Sequence, residues 1–525
     1  MVNIETTPVV TVETGDLEGL PKPSGVRAFL GVPYAAPPVG ALRWRPPQPA
    51  EPWTGRRAAQ EFGPASQQFP PPANSLYYGG ETRFSEDCLY LNVWTGPEGQ
   101  TGRPVMVWLH FGAYQLGSAG NPMYDGAALA AEGVTVVSVN HRLGRLGFLA
   151  HPDLTAESGY GGSGNYGLMD QIAALQWVQR NVAAFGGDAE NVTLFGVSAG
   201  GHSVHNLRCS PLSAGLFHKV IAQSAPGVAP ALDGFGHPAN PSTLAAGEQA
   251  GVEVARLLGV SSIEEMRGLP AEQIMAAPLP RTEGPWSFAL FPGATISLHI
   301  FDSGYPVIDG HVLPRDPLSA FLAGEVADVP MIAGNAGNEA SGLPYLDTLG
   351  AYRDYVGETF GERAAEVLAL YPAATDEQAR QASWDLIADQ VFVWSTWTAA
   401  RIQSSRLSAP AWYYRFLRRP PIPSDADLVE RDFAGAFHGG EVPYVFGTFD
   451  AWKWDWTDED RALSAALMHA WVDFARDGDP GAWPALGDGA LPVMAWDVEP
   501  DVGDHVPDPA RMAFWDRYHG VADEL

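Results

Sequence analysis

A serine lies between two glycines at residues 196–200 (GVSAG), directly after an apolar, β-branched stretch at residues 191–194. This stretch predicts a strand, and residues 201–205 can continue as a helix. Glycines two before and two after the serine would let the chain bend sharply and raise the Ser198 hydroxyl out of the turn. We therefore predict that Ser198 is a nucleophile. Because the chain holds 58 glycines, a glycine-rich turn without chemistry is the alternative.

A serine hydroxyl reacts poorly at neutral pH without a base, an acid that orients the base, and donors for the oxyanion. Residues 105–109 (VMVWL) predict a buried strand that ends in a loop at residues 110–114. The backbone N–H groups of this loop, with that of Ala199, are candidates to bind the negative charge. An ordinary turn after a strand is the alternative reading of the same loop.

Candidates for the acid and the base come later in the chain. Residues 329–333 predict a buried strand, and the loop that follows carries Glu339. A further strand is predicted at residues 412–416, and His438 comes after it in a loop of small residues. Serine, acid and histidine in this order is the arrangement of α/β-hydrolases. Either residue alone would more often be a solvated loop side chain.

Several longer motifs resemble the type B carboxylesterase family, which includes cholinesterases, liver carboxylesterases and bacterial para-nitrobenzyl esterases. The resemblance extends over nearly the whole chain. The motifs are FLGVPYA at 29–35, SEDCLYLNVW at 85–94, GNYGLMDQ at 164–171, FGGD at 185–188, FGVSAGG at 195–201, WVDFA at 471–475 and WP at 483–484.

The resemblance implies that Ser198 is the nucleophile, Glu339 the acid and His438 the base. By position in the motifs, the oxyanion donors would be Gly112, Ala113 and Ala199. The implied reaction is hydrolysis of carboxylic esters through an acyl-enzyme, with no cofactor.

The implied fold is the α/β-hydrolase fold, with a large central, mostly parallel sheet flanked by helices. We find no linker or repeat, so residues 1–525 are expected to form a single domain whose long insertions build a gorge. Residues 168–182 and the segment between Thr457 and Gly478 predict helices, the second with a capping box. The irregular region at about residues 226–306 is expected to contribute to the gorge.

The chain departs from the family at two positions beside the predicted site. Val197 stands where the family usually has glutamate, and Phe111 stands where it usually has glycine. Phe111 either narrows the acyl side of the pocket or packs away from it. Our candidates for contact with the substrate are Phe111, Tyr114, Val197 and Phe288.

Composition limits the partners of this chain. A formal net charge of −30 argues against nucleic acid and anionic membranes as partners, and it serves either solubility or the attraction of cationic esters. No apolar run approaches the ~20 residues of a membrane span. No metal-binding motif is present, so we expect no metal. The expected partner is a small-molecule ester, and the sequence leaves the oligomeric state open.

Two functions other than ester hydrolysis are compatible with this fold. Relatives on the same fold cleave carbamates and amides, so a carbamate or amide hydrolase acting on a xenobiotic or natural product is the alternative. A non-catalytic, cholinesterase-like binding protein is the more distant one. That protein would have lost the serine, the acid or the histidine, and all three residues are present here.

The chain has two cysteines, Cys88 and Cys209. Family members with a disulfide at the position of Cys88 have its partner where Ser66 stands here. We therefore expect two free thiols, and with them a cytoplasmic, bacterial enzyme. The first residues show no basic segment followed by an apolar core, which is consistent with this expectation.

Overall fold

The protein is described here by a computed structural model that covers residues 7–231, 241–277, 304–343, 345–424, 426–428, 435–487 and 491–525. Its centre is an eleven-stranded sheet. The strands of this sheet are β1 Leu20–Pro21, β2 Arg27–Pro33, β3 Tyr90–Thr95, β4 Arg103–Leu109, β5 Thr135–Val139, β6 Gly187–Val197, β7 Lys219–Gln223, β8 Met331–Ala336, β9 Ala411–Phe416, β10 Val493–Trp496 and β11 Asp501–Gly503.

The order of the strands across the sheet is β11-β10-β9-β8-β7-β6-β4-β5-β3-β2-β1. Six of the ten pairings are parallel and join the run from β10 to β5, whereas the outer pairings on both sides are antiparallel. This is the large, mostly parallel sheet that the family resemblance implied. Smaller sheets pair Val9–Val12 and Arg56–Ala58 with Gly15–Glu18, Ala65–Ser66 with Phe84–Ser85, and Ser242–Thr243 with Val307–Ile308.

Helices cover the sheet. The described residues form α1 Ala127–Ala131, α2 Gly144–Phe148, α3 Pro152–Glu157, α4 Tyr166–Asn181, α5 Ala199–Cys209, α6 Leu244–Leu258, α7 Ile263–Arg267, α8 Ala271–Ala276, α9 Pro317–Leu322, α10 Leu349–Phe360, α11 Ala364–Leu370, α12 Asp376–Ala388, α13 Trp394–Arg406, α14 Val442–Phe446, α15 Asp458–Asp477 and α16 Pro509–Tyr518. A π-helical segment, Asp389–Val393, joins α12 to α13. None of these helices is both long and apolar enough to cross a bilayer.

Strand β4 shows why the sequences of the interior strands are continuously apolar. All seven of its residues are buried. Val105 and Val107 belong to one hydrophobic cluster, and Met106 and Trp108 belong to another. Successive side chains of a strand point to opposite faces, so the sheet has a core on each side.

The predicted elements are confirmed with small shifts at their ends. The helix expected over residues 168–182 is α4, and the strand expected at 329–333 is β8, which begins at Met331 because Pro330 has no N–H to donate. The capping box of α15 is present: Thr457 accepts the N–H of Asp460, and the Asp460 carboxylate accepts the N–H of Thr457. Gly478 ends this helix with a φ of 78°. In the region expected to build the gorge, α6 to α8 lie at the start and Phe288 lies outside the described residues.

Both cysteines are buried and free. The Ser66 side chain lies close enough to the Cys88 thiol to lower its pKa against the larger effect of burial, so the position that carries the second cysteine of the family disulfide is near Cys88. Burial raises the pKa of Cys88 well above its usual value, and it raises that of Cys209 to about 12. Both sulfurs are therefore protonated thiols of low reactivity.

We expect a reducing agent to leave activity and melting temperature unchanged, because no disulfide contributes to stability. Iodoacetamide should label neither cysteine in the native protein and both after unfolding, with mass spectrometry as the readout. A disulfide would contribute ~2–4 kcal/mol, which a melt would show. A Cys88–Cys209 bridge in native protein would contradict this expectation.

Candidate active site

Ser198 occupies the turn between β6 and α5. Its φ of 59° and ψ of −122° are strained for a residue with a side chain. The Ser198 N–H donates to the Gln223 carbonyl at 2.9 Å, and the Ser198 carbonyl accepts the His202 N–H at 2.8 Å, which opens α5. Strain held in this way is typical of functional positions. The turn is thus the strand, bend and helix that the sequence predicts.

The glycines around Ser198 have a different physical role from the one expected. The sharp backbone angle belongs to Ser198 itself, and Gly196 and Gly200 are not in the left-handed region. A Cβ on Gly196 would lie 2.7 Å from the Leu109 carbonyl oxygen, and one on Gly200 would lie 2.0 Å from it. The glycines therefore allow the start of α5 to pack directly against the end of β4, where the candidate oxyanion loop begins.

The carboxylate of Glu339 is buried and fully hydrogen-bonded. One oxygen accepts from the Ser224 hydroxyl at 2.6 Å, from Asn335 Nδ2 at 2.8 Å and from the Ala336 N–H at 2.8 Å. The other oxygen lies 2.6 Å from His438 Nδ1. Burial alone would raise the pKa of Glu339, but the His438 charge and these hydrogen bonds outweigh it and hold that pKa below its usual value. Glu339 is therefore an anion fixed on His438.

His438 lies in the loop before α14 and is 7% exposed. The ring of Phe392, in the π-helical segment, packs on it with ring centroids 4.2 Å apart. Because Nδ1 is held by Glu339, Nε2 is the nitrogen left for proton transfer. Among the described residues, the Ser198 hydroxyl forms no hydrogen bond with His438, and contacts of this kind often shorten only when substrate binds.

The backbone N–H groups of Gly112, Ala113 and Ala199 donate no hydrogen bond to any described residue. Gly112 and Ala113 are half-buried, with φ values of 118° and 52°, and Ala199 is the first residue of α5. The first N–H groups of a helix have no partner within it. All three donors are thus available for an oxyanion.

Three of the four candidates for substrate contact are buried. Phe111 is 4% exposed and packs edge-on against Tyr124 and Tyr77, which favours the alternative in which it packs away from the pocket. Val197 is fully buried among apolar side chains, and Tyr114 is 1% exposed. Contact of these three side chains with a substrate stays a prediction.

The structure adds residues that the sequence analysis did not single out. Ser224, with a φ of 46°, and Asn335 both bind Glu339. Each stands at the carboxyl end of a parallel strand, which is the signal that could have identified them. Within the described residues, no group of three or more His, Cys, Asp or Glu side chains is arranged to hold a metal ion.

Glu441 is a second carboxyl group, three residues after His438 in the chain, and it is also fully buried. One oxygen accepts from Gln223 Nε2 at 3.2 Å and from the Tyr414 hydroxyl at 3.4 Å, while the other has no partner in the described chain. Burial, followed by the negative charge of Glu339, raises the pKa of Glu441 to about 7. The pKa values of two carboxyl groups in one site are thus shifted in opposite directions, a pattern found in acid and base catalysis.

Comparison with known proteins identifies the family. The family model described as "Carboxylesterase family" matches residues 6–515. The chain belongs to the carboxylesterase family. As a member, it is a serine hydrolase that cleaves carboxylic esters through an acyl-enzyme.

Individual relatives agree with this. Over 493 residues the chain is 36% identical to fumonisin B1 esterase of Sphingopyxis macrogoltabida, covering 89% of this chain and 82% of that protein. It is 35% identical to para-nitrobenzyl esterase of Bacillus subtilis (strain 168), covering 94% and 95%. Among solved structures, a PNB esterase superposes with a TM-score of 0.77 at 32% identity, covering 95% of this carboxylesterase and 97% of that chain.

The first prediction for the site separates the two carboxylates. Glu339→Gln should lower kcat by roughly three to four orders of magnitude with little effect on folding, because an amide can favour the wrong imidazole tautomer and cannot stabilise an imidazolium. Glu441→Gln should cause a much smaller loss. The measurement is kcat of both variants, compared at matched melting temperatures. The opposite ranking would show that Glu441 is the acid.

The second prediction concerns stability against pH. Because the pKa of Glu441 is about 7 in the folded protein, against a usual value of 4.5, the folded state holds more protons between these values and its free energy of unfolding falls as pH rises. Glu441→Gln removes this loss. The stability of the parent relative to the variant should therefore decrease by roughly 2–3 kcal/mol from pH 4.5 to 8, measured by urea unfolding.

The control is Glu264→Gln, which changes an exposed glutamate in α7. The stability difference between this variant and the parent, measured over the same pH range, is the reference for the Glu441→Gln difference. Asp389, which is also buried and has a pKa near 7, contributes equally to parent and variants and cancels in the difference. A flat difference for Glu441→Gln would mean that this carboxyl titrates normally.

Proposed function

We propose that Ser198, Glu339 and His438 are the catalytic triad of this carboxylesterase, and that Gly112, Ala113 and Ala199 supply its oxyanion hole. The observation that carries the proposal is the 2.6 Å contact between buried Glu339 and His438 Nδ1, in a site whose serine has a strained backbone. Burial and Coulombic attraction make this contact strong, and it fixes which imidazole nitrogen stays free.

The proposed reaction proceeds in two halves. The Ser198 hydroxyl oxygen attacks the ester carbonyl, His438 Nε2 takes the hydroxyl proton, and the oxyanion accepts hydrogen bonds from the three backbone N–H groups. Collapse breaks the ester bond, and the alcohol leaves with the proton from His438. Water then adds to the acyl-enzyme in the same way and releases the acid. Glu339 stays ionised throughout and stabilises the imidazolium.

The proposed substrates are small-molecule carboxylic esters. Relatives of this chain are named as esterases of fumonisin B1 and of para-nitrobenzyl esters, which supports an ester as the cleaved group. We further propose that residues 1–525 act as one catalytic domain, because one sheet draws its strands from Leu20 to Gly503. The two free, buried thiols support a reducing compartment such as the cytoplasm.

The nucleophile is tested by substitution and by covalent labelling. Ser198→Ala should fold normally and lose essentially all turnover of para-nitrophenyl esters, although a small rate above water can remain from binding and the oxyanion contacts. A fluorophosphonate should label the parent once, at Ser198, as located by peptide mass spectrometry.

The matched control is Ser210→Ala, because Ser210 is a buried serine just after the same helix and its hydroxyl has no partner in the described chain. This variant should keep the parent's turnover and labelling. Complete inactivation of the parent by a label at another residue would refute the assignment of Ser198.

A further inference from the structure

Three successive residues of the candidate oxyanion loop have left-handed backbone angles. The φ values of Gly112, Ala113 and Tyr114 are 118°, 52° and 57°. Glycine adopts such angles freely, whereas residues with a Cβ do so only when the surrounding structure holds them. The loop that carries two of the proposed donors is therefore not self-supporting, and its conformation depends on what it contacts.

Backbone hydrogen bonds hold the turn itself. The N–H groups of Gln115 and Leu116 both donate to the Gly112 carbonyl, at 2.8 and 3.0 Å. The Tyr114 carbonyl accepts the N–H of Gly144 at 2.6 Å. These bonds define the shape of the loop, and none of them reaches the helix that begins at the nucleophile.

The Tyr114 side chain makes that connection. It is 1% exposed, and its hydroxyl accepts from Ser203 Oγ at 3.1 Å and from Asn206 Nδ2 at 3.5 Å. Ser203 in turn accepts from Gln171 Nε2 of α4 at 3.0 Å. The Tyr114 ring lies against Phe148, with ring centroids 4.9 Å apart.

Ser203 and Asn206 lie on α5, which starts at Ala199 directly after Ser198. The Tyr114 hydroxyl therefore joins the loop with two oxyanion donors to the helix with the third donor and the nucleophile. Such donors must lie about 2.7–3.1 Å from the position that the oxyanion will occupy and must be held within about 0.5 Å of that geometry. A shift of one element against the other would misalign the hole without closing the pocket.

We propose that Tyr114 is a positioning residue for ester hydrolysis, whose hydroxyl fixes the oxyanion loop on α5 through Ser203 and Asn206. The inference rests on the proposed assignment of Ser198, Gly112, Ala113 and Ala199. If this role is correct, removing the Tyr114 hydroxyl weakens stabilisation of the tetrahedral intermediate and leaves binding of the substrate in its ground state unchanged. A residue that only fills space would behave differently, because phenylalanine keeps the ring and its packing.

The test uses Tyr114→Phe and, as a second variant that breaks the same contact from the other side, Ser203→Ala. Each should lower kcat for para-nitrophenyl butyrate about tenfold, which is part of the ~100–1,000-fold effect of losing an oxyanion donor, and leave KM within twofold. The double variant should lose little more than the worse single variant, because both single changes remove the same hydrogen bond between Ser203 and Tyr114.

An inhibitor pair separates the oxyanion from simple binding. When an aryl trifluoromethyl ketone binds, Ser198 Oγ bonds to its carbonyl carbon, the hydroxyl proton passes to His438 Nε2, and the C=O π electrons become the oxyanion in the hole. The corresponding trifluoromethyl carbinol carries the same aryl and trifluoromethyl groups but has no carbonyl to attack. The inhibition constant of the ketone should rise in parallel with the loss of kcat, and that of the carbinol should stay constant. Tyr352→Phe, which removes another buried, hydrogen-bonded phenol hydroxyl in α10, should change neither.

Unchanged kcat and ketone affinity in a folded Tyr114→Phe variant would overturn the inference. So would equal weakening of ketone and carbinol, or the same losses in Tyr352→Phe. If one variant fails to fold, the other decides by the same criteria. A parent protein that neither hydrolyses the ester nor accepts a fluorophosphonate at Ser198 would overturn the proposed site itself, and with it this inference. The behaviour of the parent therefore distinguishes a failure of the proposed site from a failure of the role of Tyr114.

Discussion

The geometry of the candidate active site depends on the end of β7, where the neighbouring residues Gln223 and Ser224 each bond to a different part of the site. The Gln223 carbonyl accepts the N–H of Ser198, and the Ser224 hydroxyl donates to Glu339, which holds His438. The proposed nucleophile, acid and base come from three distant segments, and this strand end contacts the first two directly and the third through Glu339. Because β7 lies between β6 and β8 in the sheet, its carboxyl end connects the turn that carries Ser198 to the segment that carries Glu339.

Backbone strain in this protein is concentrated around the same place. Six residues other than glycine have positive φ in the described chain, and four of them surround the site: Ala113, Tyr114, Ser198 and Ser224. Strained residues persist only where neighbouring contacts fix them. Here the close approach of Gly200 to β4 and the hydrogen bonds of Tyr114, Ser198 and Ser224 supply those contacts. The strained backbone angles therefore depend on the tertiary packing around them.

The two buried carboxyl groups show how environment decides chemistry. Glu339 receives donors on both oxygens and stays ionised, whereas Glu441 receives two long hydrogen bonds on one oxygen and has a pKa near 7. Distance along the chain alone would suggest that Glu441 is the partner of His438, since it is only three residues away. The geometry favours the distant residue because a separate strand end can approach the imidazole from behind.

The sequence by itself determined the strand, turn and helix around Ser198, the buried strands β4, β8 and β9, the capped helix α15 and the family, because these follow from local pattern and motif. Only the tertiary structure decided that the glycines around Ser198 serve close packing, that Ser224 and Asn335 hold Glu339, that Phe111 packs against Tyr77 and Tyr124, and that Tyr114 reaches α5. Those contacts join residues as far apart as Ser224 and Glu339, at 115 positions. Hydrogen bonding and packing depend on distance in space, and local sequence patterns carry no information about which distant segments the folded sheet brings together.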